Sequence, residues 1–398
     1  MGSSYLTDTV QIGIKSGSLS LSLKNRIVLA FDLEGRLFSA YLDGRTFRRG
    51  VSGRVVEKGR LPDAGPGERW CRECEGEERR ELYRTVYALA EEAWAAQMKG
   101  TARLMGGEQE LATILLDRVL RWTPDRLEGE SVRFLVVYRR VGILPPDQYL
   151  AVVLQATEGC AWNRCTFCGF YRDQPFRVKT ADEFLAHMRA VRELLGEGIR
   201  LRRSIFLGEA NALGVPMGRL LAFMDLVREQ FPDHREIHTF MDVFSARKRV
   251  EELVLLKARG LRRVTIGLET GCDDLLALVR KLGSAAKAVR VVRTLKAAGI
   301  GVGLVVLLGL GGQRYFDDHV KETVRVVNAM GLGEGDIVYF SPLVEMPGAE
   351  YFAQAEAHGI ARLGPDEVRA QEALIRDGLA FSGPPPRLAR YDVKEFLY

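Results

Sequence analysis

The stretch EGCAWNRCTFCGFY, residues 158–171, is the most informative part of this sequence, because it places three cysteines within nine residues. It follows directly on the apolar run YLAVVLQAT, residues 149–157, which predicts a buried β-strand. In parallel α/β folds, the loops after the carboxyl ends of the strands build the active site. The sequence therefore predicts a site at Cys160, Cys165 and Cys168, on the loop that follows this strand.

Beyond the cysteine loop, apolar runs alternate with amphipathic helical patterns. Five further apolar runs follow, namely SIFLG (204–208), EIHTFMDVF (236–244), RVTIGLETG (263–271), GVGLVVLLGLGG (301–312) and DIVYFSPL (336–343). These runs lack the polar alternation of a half-exposed strand, which indicates strands that are covered on both faces. The prediction is an α/β fold with a parallel sheet or barrel of six strands.

Upstream of Tyr149 the sequence has a different character. Residues 18–60 alternate apolar and polar positions between glycine-bearing turns, which predicts an antiparallel β-meander. The stretch KGRLPDAGPGERW, residues 58–70, is rich in proline and glycine and predicts a linker. Helical periodicity follows at residues 77–99 and 109–122.

Three regions follow from these patterns. Pro145 and Pro146 mark the end of an N-terminal accessory region, residues 1–145, which consists of the meander and the helices. Residues 146–350 form the predicted α/β core, and residues 351–398 form a C-terminal helical extension.

Composition indicates a protein with a sizeable core that works in the cytoplasm. The chain has 398 residues, 47% of them hydrophobic, and residues 1–15 are too polar for a signal peptide. No apolar run approaches the roughly 18 residues that cross a bilayer, so we expect no membrane span. In a cytosolic chain, six cysteines favour metal binding or catalysis over disulfides. The net charge of +5 is only a slight basic excess, and it is far weaker than the clustered basic face that a dedicated nucleic-acid binder carries.

The number of ligands in the loop narrows the kind of metal site. Thiolates suit both iron–sulfur clusters and zinc. A structural zinc site takes four protein ligands, and no fourth cysteine or histidine lies near the three thiols, since His187 is on the following helix. Three ligands on a four-iron cluster leave one iron open to an external molecule. The alternative, three buried thiols that act as small hydrophobic groups, fits poorly with the neighbouring Asn163, Arg164 and Gly169.

Residues 145–350 resemble the radical S-adenosylmethionine (radical SAM) superfamily. Four residues separate Cys160 from Cys165, a Cx4CxxC spacing that resembles a prokaryotic subgroup. The resemblance implies a partial (β/α)6 barrel whose three cysteines hold a [4Fe-4S] cluster. It also implies that the amine and carboxylate of S-adenosylmethionine chelate the open iron. One electron, from a donor of the flavodoxin or ferredoxin type, then yields methionine and a 5′-deoxyadenosyl radical that abstracts hydrogen from an unidentified substrate.

The resemblance further implies which residues contact the cofactor. In FLGEANAL, residues 206–213, Glu209 matches the glutamate of the family's Gly-Gly-Glu motif and would accept the cofactor's ammonium, with Leu207 in place of the first glycine. Glu269, at the end of VTIGLE, would face the cofactor. Lys281 stands where relatives often carry a cation near the cofactor's carboxylate.

Four more positions complete the implied cofactor site. Phe167 lies between the last two cysteines, where it either approaches the adenine or packs beneath the loop. Asp242 and Ser245 are polar groups that follow the third strand. Gly309, in LLGLGG after the fifth strand, would let the adenine approach the backbone.

Several questions stay open at the level of sequence. Cys71 and Cys74 in WCREC have four possible interpretations: half of a zinc site, a redox pair, ligands of an auxiliary cluster, or thiols without a role. A non-metal role is favoured, because no further cysteine or histidine cluster completes a metal site. Cys272 is most simply a buried thiol. The substrate is a small molecule, a lipid, a peptide or RNA.

Three alternative functions compete with that of a radical enzyme of unknown substrate. The first is a non-catalytic zinc or iron–sulfur binding protein on an α/β scaffold, and the open fourth ligand position disfavours it. The second is an RNA-modifying radical SAM enzyme, for which the sequence lacks a concentrated basic and aromatic face. The third is a cobalamin-dependent methylase, but the first 145 residues contain no apparent cobalamin-type domain.

Overall fold

A computed structural model describes residues 10–24, 26–60, 69–245 and 247–398. They form two compact units, of which one comprises the described residues up to Val141 with Arg189–Arg203 and Lys394–Tyr398, and the other Gly142–Met188 and Ser204–Val393. Most of the predicted polar N-terminus and of the predicted linker, residues 1–9 and 61–68, lies outside the described residues. No described helix has both the length and the apolar character needed to cross a bilayer.

The first unit contains an eight-stranded sheet in which β1 to β7 are consecutive antiparallel neighbours and β8 pairs in parallel with β1. The strands are β1 (Gln11–Lys15), β2 (Ser18–Leu23), β3 (Ile27–Asp32), β4 (Leu37–Leu42), β5 (Arg45–Arg49), β6 (Val55–Arg60), β7 (Arg69–Cys74) and β8 (Arg103–Met105). In β2, Leu19, Leu21 and Leu23 are buried and the serines between them are partly exposed, because successive side chains point to opposite faces. The predicted meander is therefore confirmed.

Three helices follow the meander: α1 (Gly76–Met98), α2 (Gln109–Leu120) and α3 (Pro124–Val137). The first two agree with the sequence prediction to within two residues. Side chains of α1 and α2, among them Tyr83 and Leu116, share one hydrophobic core with Leu21 and Phe31 of the sheet. The third helix was not predicted, although Thr123 caps it by accepting the backbone N–H of Arg126 at 3.2 Å.

The second unit contains a parallel sheet of seven strands, in the order β9, β12, β13, β14, β15, β16, β17. Its strands are β9 (Ala151–Gln155), β12 (Ser204–Gly208), β13 (Ile237–Phe240), β14 (Leu261–Glu269), β15 (Gly301–Leu308), β16 (Ile337–Pro342) and β17 (Arg387–Arg390), and a small antiparallel pair is formed by β10 (Thr157–Glu158) and β11 (Arg177–Val178). Every residue of β9 and β12 is buried, as apolar runs without alternation indicate. The predicted parallel α/β sheet is confirmed.

Helices connect these strands in the order that the sequence indicates. From residue 142 onward they are α4 (Ala181–Leu195), α5 (Met217–Gln230), α6 (Val250–Ala258), α7 (Asp273–Leu278), α8 (Ala285–Ala297), α9 (Phe316–Asn328), α10 (Tyr351–Ala357) and α11 (Pro365–Gly378). Thr180 and Glu183 form a capping box at the start of α4, with reciprocal bonds of 2.7 and 3.2 Å.

The sheet has one strand more than the six that the sequence indicates. The additional strand is β17, which pairs in parallel with β16 and lies in the segment that was expected to be helical. Its sequence RLAR carries neither an apolar run nor a clear alternation, so the pattern gave no signal for a strand. The segment before it does form helices, α10 and α11, as expected.

The parallel arrangement brings the predicted site residues to one edge of the sheet. The cysteine loop follows β9 and β10, Glu209 follows β12 and Asp242 follows β13. Glu269 ends β14, and Gly309 follows β15. The carboxyl ends of parallel strands lie on the same side, which is where ligands bind in such sheets.

Candidate active site

The cysteine loop is held by hydrogen bonds to two distant segments of the same unit. The backbone N–H of Thr166 donates to the carbonyl of Val279 at 3.0 Å, and the Thr166 carbonyl accepts from the N–H groups of Glu350 and Tyr351 at 2.7 and 3.0 Å. Trp162 donates its indole N–H to the Arg280 carbonyl at 2.7 Å. The position of the three thiols is thus fixed by contacts outside the loop.

Arg172 fixes the loop from within. Its guanidinium donates to the backbone carbonyls of Asn163 (2.8 Å), Cys165 (2.7 Å) and Cys168 (3.1 Å). The planar guanidinium presents several donors in a rigid fork, so a single side chain binds three carbonyls of the loop at once. Sequence analysis did not identify Arg172, although it lies only four residues beyond the last cysteine.

Gly169 allows another part of the chain to pack closely against the cysteine loop. A Cβ atom added to this residue would lie 2.2 Å from the carbonyl oxygen of Pro347, a backbone atom that cannot move aside easily. The cysteine loop therefore packs directly against the chain that follows β16, and only glycine fits there.

A cavity of about 220 Å³ opens at the carboxyl edge of the parallel sheet. Seven of the ten predicted site residues line it: Cys160, Cys165, Phe167, Cys168, Asp242, Glu269 and Lys281. They come from four separate segments of the chain, so the fold brings together residues that the sequence predicted separately. The other three, Glu209, Ser245 and Gly309, lie outside the lining and are described below.

Glu269 and Lys281 form an ion pair in the cavity wall, with 2.8 Å between Oε1 and Nζ. Burial alone would lower the pKa of Lys281, but Glu269 raises it, and the net shift is upward. The Lys281 ammonium also lies 6.0 Å from the centre of the Phe167 ring. Lys281 is therefore held as a cation beside the thiols.

The backbone around Glu269 is adapted to this ion pair. Glu269 has a φ of 63°, a conformation that residues other than glycine rarely adopt, and the register between β14 and β15 shifts just before it. A bulge of this kind re-aims a side chain. At Gly267 an added Cβ would lie 2.2 Å from the Glu269 carboxylate, so the glycine leaves the space that the pair occupies.

Asp242 is oriented by a small polar cluster after β12 and β13. Its Oδ1 accepts the backbone N–H of Ser245 at 2.7 Å, and its Oδ2 accepts from the side-chain amide of Asn211. The same amide donates to the hydroxyl of Ser245 at 2.6 Å. Ser245 thus touches Asp242 but does not line the cavity. Asn211 was missed by sequence analysis, although it stands inside the FLGEANAL motif.

Glu209 is buried beside the cysteine loop. Its carboxylate accepts from the side-chain amide of Gln155 at 2.7 Å and from the backbone N–H of Gly159 at 2.9 Å. Burial raises the pKa of Glu209 to about 7, although these two hydrogen bonds act in the opposite direction. Each carboxylate oxygen has a second lone pair, so Glu209 retains capacity to accept a further donor.

Gly309 and Phe167 occupy different surroundings. Gly309 has a φ of 83°, and its N–H donates to the side chain of Gln371 at 2.8 Å. Phe167 lines the cavity with part of its ring and packs with another part against a core cluster that contains Cys272 and Leu307.

The spacing of the three loop thiols fits a cluster better than a single zinc ion. In the described part of the chain, only Glu57, Cys74 and Glu78 bring three potential ligand atoms within 4.8 Å of one another, so at least two of the loop thiols stand farther apart than that. Tetrahedral bonds of 2.3 Å to zinc would hold the sulfurs about 3.8 Å apart. A cubane cluster, whose ligands bind separate irons, accepts a wider triangle of thiolates.

Two of these thiols are neutral in the absence of a metal and need a bound cation to become thiolates. Burial raises the pKa of Cys168 to about 12 and also raises the pKa of Cys165, which the nearby Lys281 partly offsets. A metal ligand must be the thiolate, and a bound cation deprotonates a coordinating thiol. The donor set and its surroundings therefore suit iron, whose charge offsets the cost of burying the thiolates.

Cys71 and Cys74 are not arranged as a pair of ligands. Both lie on β7, three residues apart, so their side chains point to opposite faces of the sheet. The Cys71 thiol contacts the Lys394 carbonyl at 3.5 Å, whereas Cys74 is fully buried next to Glu57. Arg45 and Arg72 already pair with Glu57, which leaves little need for a metal cation there. Cys272 is buried, as expected.

Several solved structures resemble this chain at low sequence identity. One is a radical SAM methyltransferase, TsrM, from Kitasatospora setae (17% identity, TM-score 0.41, covering 61% of this chain and 55% of that one). Another is coproporphyrinogen III oxidase from Escherichia coli (16% identity, TM-score 0.42, covering 63% and 56%). A third is SuiB from Streptococcus suis (13% identity, TM-score 0.41, covering 88% and 72%). This chain spans just over half the length of the first two.

The comparison with curated proteins gives no significant match. A family model does match the second unit: residues 154–327 fit the description "Radical SAM superfamily". The matched range begins in β9, contains the three loop cysteines and extends into α9. Residues 154–327 of this chain therefore form a radical SAM superfamily domain, and that family uses a [4Fe-4S] cluster and S-adenosylmethionine.

Proposed function

We propose that this chain cleaves S-adenosylmethionine reductively at a [4Fe-4S] cluster held by Cys160, Cys165 and Cys168, and then abstracts hydrogen from a substrate. The observation that carries the proposal is the single cavity in which these thiols lie together with Glu269 and Lys281. When bound, the reduced cluster and S-adenosylmethionine supply a 5′-deoxyadenosyl radical, the agent that abstracts the hydrogen.

Charged residues of this chain would orient the bound cofactor. Lys281 offers a permanent cation to the cofactor's carboxylate, and Glu269 holds that cation in position. Glu209, buried beside the cysteine loop, would accept a hydrogen bond from an N–H of the cofactor's amine through its remaining lone pairs. These residues restrict the cofactor to one orientation, which lowers the entropic barrier of the reaction.

Three of the remaining predicted residues would support the bound cofactor. Asp242 would offer a hydrogen-bond acceptor in the cavity wall, where Ser245 and Asn211 keep its carboxylate in place. Phe167 would contact the adenine from the same wall, whereas Gly309 lies outside the lining and its contact with the adenine stays a prediction. The apolar side chains that fill the rest of the cavity wall exclude water, as a reactive radical requires.

An external protein supplies the electron. A flavodoxin- or ferredoxin-type donor, in a cytoplasmic setting, would keep the cluster reduced. The Cx4CxxC spacing resembles that of a prokaryotic subgroup of the superfamily, and this assignment stays a prediction, as does the division into three regions.

A non-catalytic metal-binding role is the alternative. Zinc binding at the loop is disfavoured because, among the described residues, the three loop thiols do not all lie within 4.8 Å of one another. A non-catalytic cluster would have no need of Lys281 and Glu269 beside its thiols. The alternative of an RNA-modifying enzyme concerns the substrate and depends on the lining of the cavity.

Product analysis tests the proposed function. The protein is reconstituted anaerobically with iron and sulfide, reduced and mixed with S-adenosylmethionine, and 5′-deoxyadenosine and methionine are quantified. We expect both products in equal amounts, and none from a variant with alanine at Cys160, Cys165 and Cys168. A variant with alanine at Cys71 and Cys74 serves as the matched control and should retain the products. Reduced, fully reconstituted protein that binds the cofactor but forms no deoxyadenosine would support the non-catalytic alternative.

A further inference from the structure

The cavity has a second group of lining residues that are not among those assigned to the cofactor. They are apolar or aromatic and come from four segments of the chain: Ile143, Phe170, Val305, Leu307, Tyr391 and Val393. Ile143 precedes β9, and Tyr391 and Val393 follow β17, the strand that the sequence did not predict. The additional strand thus contributes to the cavity as well as to the sheet.

Four of these residues form a continuous surface, which we call the apolar wall: Ile143, Val305, Tyr391 and Val393. Ile143, Val305 and Val393 pack against one hydrophobic cluster, of which Tyr391 is a buried member. Tyr391 donates its hydroxyl to the Leu144 carbonyl at 2.6 Å, so that hydrogen is engaged elsewhere. The apolar wall therefore offers van der Waals contact and no free hydrogen-bond donor.

The charged groups that line the cavity are already engaged. Among its described lining residues, the ionic side chains apart from the thiols are Asp242, Glu269 and Lys281, and there is no arginine. Lys281 pairs with Glu269, and Asp242 accepts hydrogen bonds from Asn211 and Ser245. Because Lys281 is the one Lys or Arg of this lining and is assigned to the cofactor's carboxylate, a phosphate or carboxylate of a substrate would find no further cation here, and burying an unpaired charge is costly.

Building on the proposed radical SAM function, we propose that the substrate is a small organic molecule that presents an uncharged, apolar group to the apolar wall. That group is an aromatic ring or an aliphatic chain, and the hydrogen to be abstracted belongs to it or to an adjacent carbon. Polar parts of the substrate face the cavity mouth. RNA is disfavoured, because each nucleotide would carry its phosphate towards a cavity without a free cation.

Matched pairs of probes test this proposal on the reconstituted, unreduced enzyme with S-adenosylmethionine present. 1-Naphthalenemethanol is compared with 1-naphthoate, and 1-octanol with octanoate, so that each pair differs mainly in charge. Binding is followed by naphthalene fluorescence and, for the aliphatic pair, by displacement of 1-naphthalenemethanol. We expect the neutral member to bind about tenfold or more tightly than the anion, because the cavity has no cation for the carboxylate. The pair that binds better identifies an aromatic or an aliphatic substrate.

Variants connect the binding to the apolar wall. Val305→Phe fills the space in front of the wall and should weaken binding of the neutral probe about tenfold, since overpacking excludes a ligand of similar size. Val393→Phe provides a second test on another segment. Val254→Phe, on the exposed face of α6, is the matched control and should change nothing. The iron content of each variant verifies that the cysteine loop is intact.

Three results would overturn the proposal. The first is that the anions bind as tightly as the neutral probes. The second is that both wall variants bind the neutral probe normally. The third is that the neutral probe competes with S-adenosylmethionine, in which case the wall belongs to the cofactor site. Failure of the proposed function gives a different result: neutral probes bind to the wall, but the reduced enzyme forms no deoxyadenosine.

Discussion

Lys281 contacts Glu269 across the end of β14, with 2.8 Å between the ammonium nitrogen and the carboxylate oxygen, and both side chains are largely buried. The two residues reach the cavity from different elements, Glu269 from the end of the strand and Lys281 from the turn after α7. The pair therefore combines two functions: each residue neutralises the other, and together they fix one cation next to the thiols.

Replacing Lys281 with methionine should affect stability and cofactor binding together. Removal of one partner leaves the Glu269 charge buried and unpaired, so we expect a loss of about 3 kcal/mol in the free energy of unfolding, measured in urea. The double variant Lys281→Met with Glu269→Gln should recover much of this loss, whereas simple additivity of the two changes would contradict the coupling. Lys296→Met, which breaks the equivalent pair with buried Asp336, should reduce stability without changing cofactor affinity.

Arg172 is expected to determine how well the loop retains iron. Arg172→Lys keeps the charge but cannot reach three carbonyls in one plane, so the loop loses part of its support. We expect faster loss of iron to a chelator from the reconstituted protein. Arg164→Lys is the matched control, because Arg164 belongs to the same loop but lies exposed over the Trp162 ring. Equal rates of iron loss from the two variants would remove Arg172 from the account.

Gly169→Ala should prevent assembly of the cluster. The new methyl carbon would lie 2.2 Å from the Pro347 carbonyl, so either the cysteine loop or the chain after β16 has to move. We expect less than half of the normal iron content, because ligand positions must be accurate for a cluster to bind. Gly218→Ala on α5 meets no atom within 4 Å and should bind iron normally. Normal iron in the Gly169 variant would show that the loop tolerates the shift.

Glu209 should make cofactor affinity dependent on pH. Its pKa of about 7 means that the carboxyl is protonated in acid, so affinity for S-adenosylmethionine in the unreduced protein should rise as the pH is raised from about 6 to about 7.5. Glu209→Gln should weaken binding by about 1.5–3 kcal/mol at the upper end and remove this part of the pH dependence. The same profile in both proteins would assign the titration to the cofactor's own amine instead.

The stability of the cofactor-free protein should change in the opposite direction. The folded protein holds the Glu209 proton more tightly than the unfolded chain, where the pKa is near 4.5. Stability should therefore fall as the pH rises from there towards about 7, because the unfolded chain loses the proton first. Urea unfolding of the wild type and of Glu209→Gln at several pH values measures this contribution by difference.

Much of the fold was predictable because the parallel sheet depends on local patterns. Apolar runs between helical segments predicted β9 and the strands up to β16, and the order of strands placed Cys160, Asp242 and Glu269 at one edge. β17 was missed because its four residues follow no period and are recruited by pairing with β16. The opposite orientation of Cys71 and Cys74 required knowledge that WCREC is a strand, which the proline-rich stretch before it obscured.

The missed residues of the site act through contacts that a sequence pattern does not encode. Arg172 binds backbone carbonyls whose directions depend on the folded loop, in which Asn163 has a φ of 48°. Asn211 had a detectable signal, since an amide two residues after Glu209 follows the same strand end as the predicted carboxylate. Its role became clear only through its contacts with Asp242 and Ser245.

The central claim is that the three thiols leave one iron open and that S-adenosylmethionine binds to this iron. Electron–nuclear double resonance tests it directly on the reduced, reconstituted protein, frozen immediately after it is mixed with cofactor that carries ¹⁵N at its methionine amine, before the cofactor is cleaved. We predict a ¹⁵N coupling to the cluster that appears on addition of the labelled cofactor and is absent with unlabelled cofactor. A protein with a full complement of iron and bound cofactor but no such coupling would contradict the account.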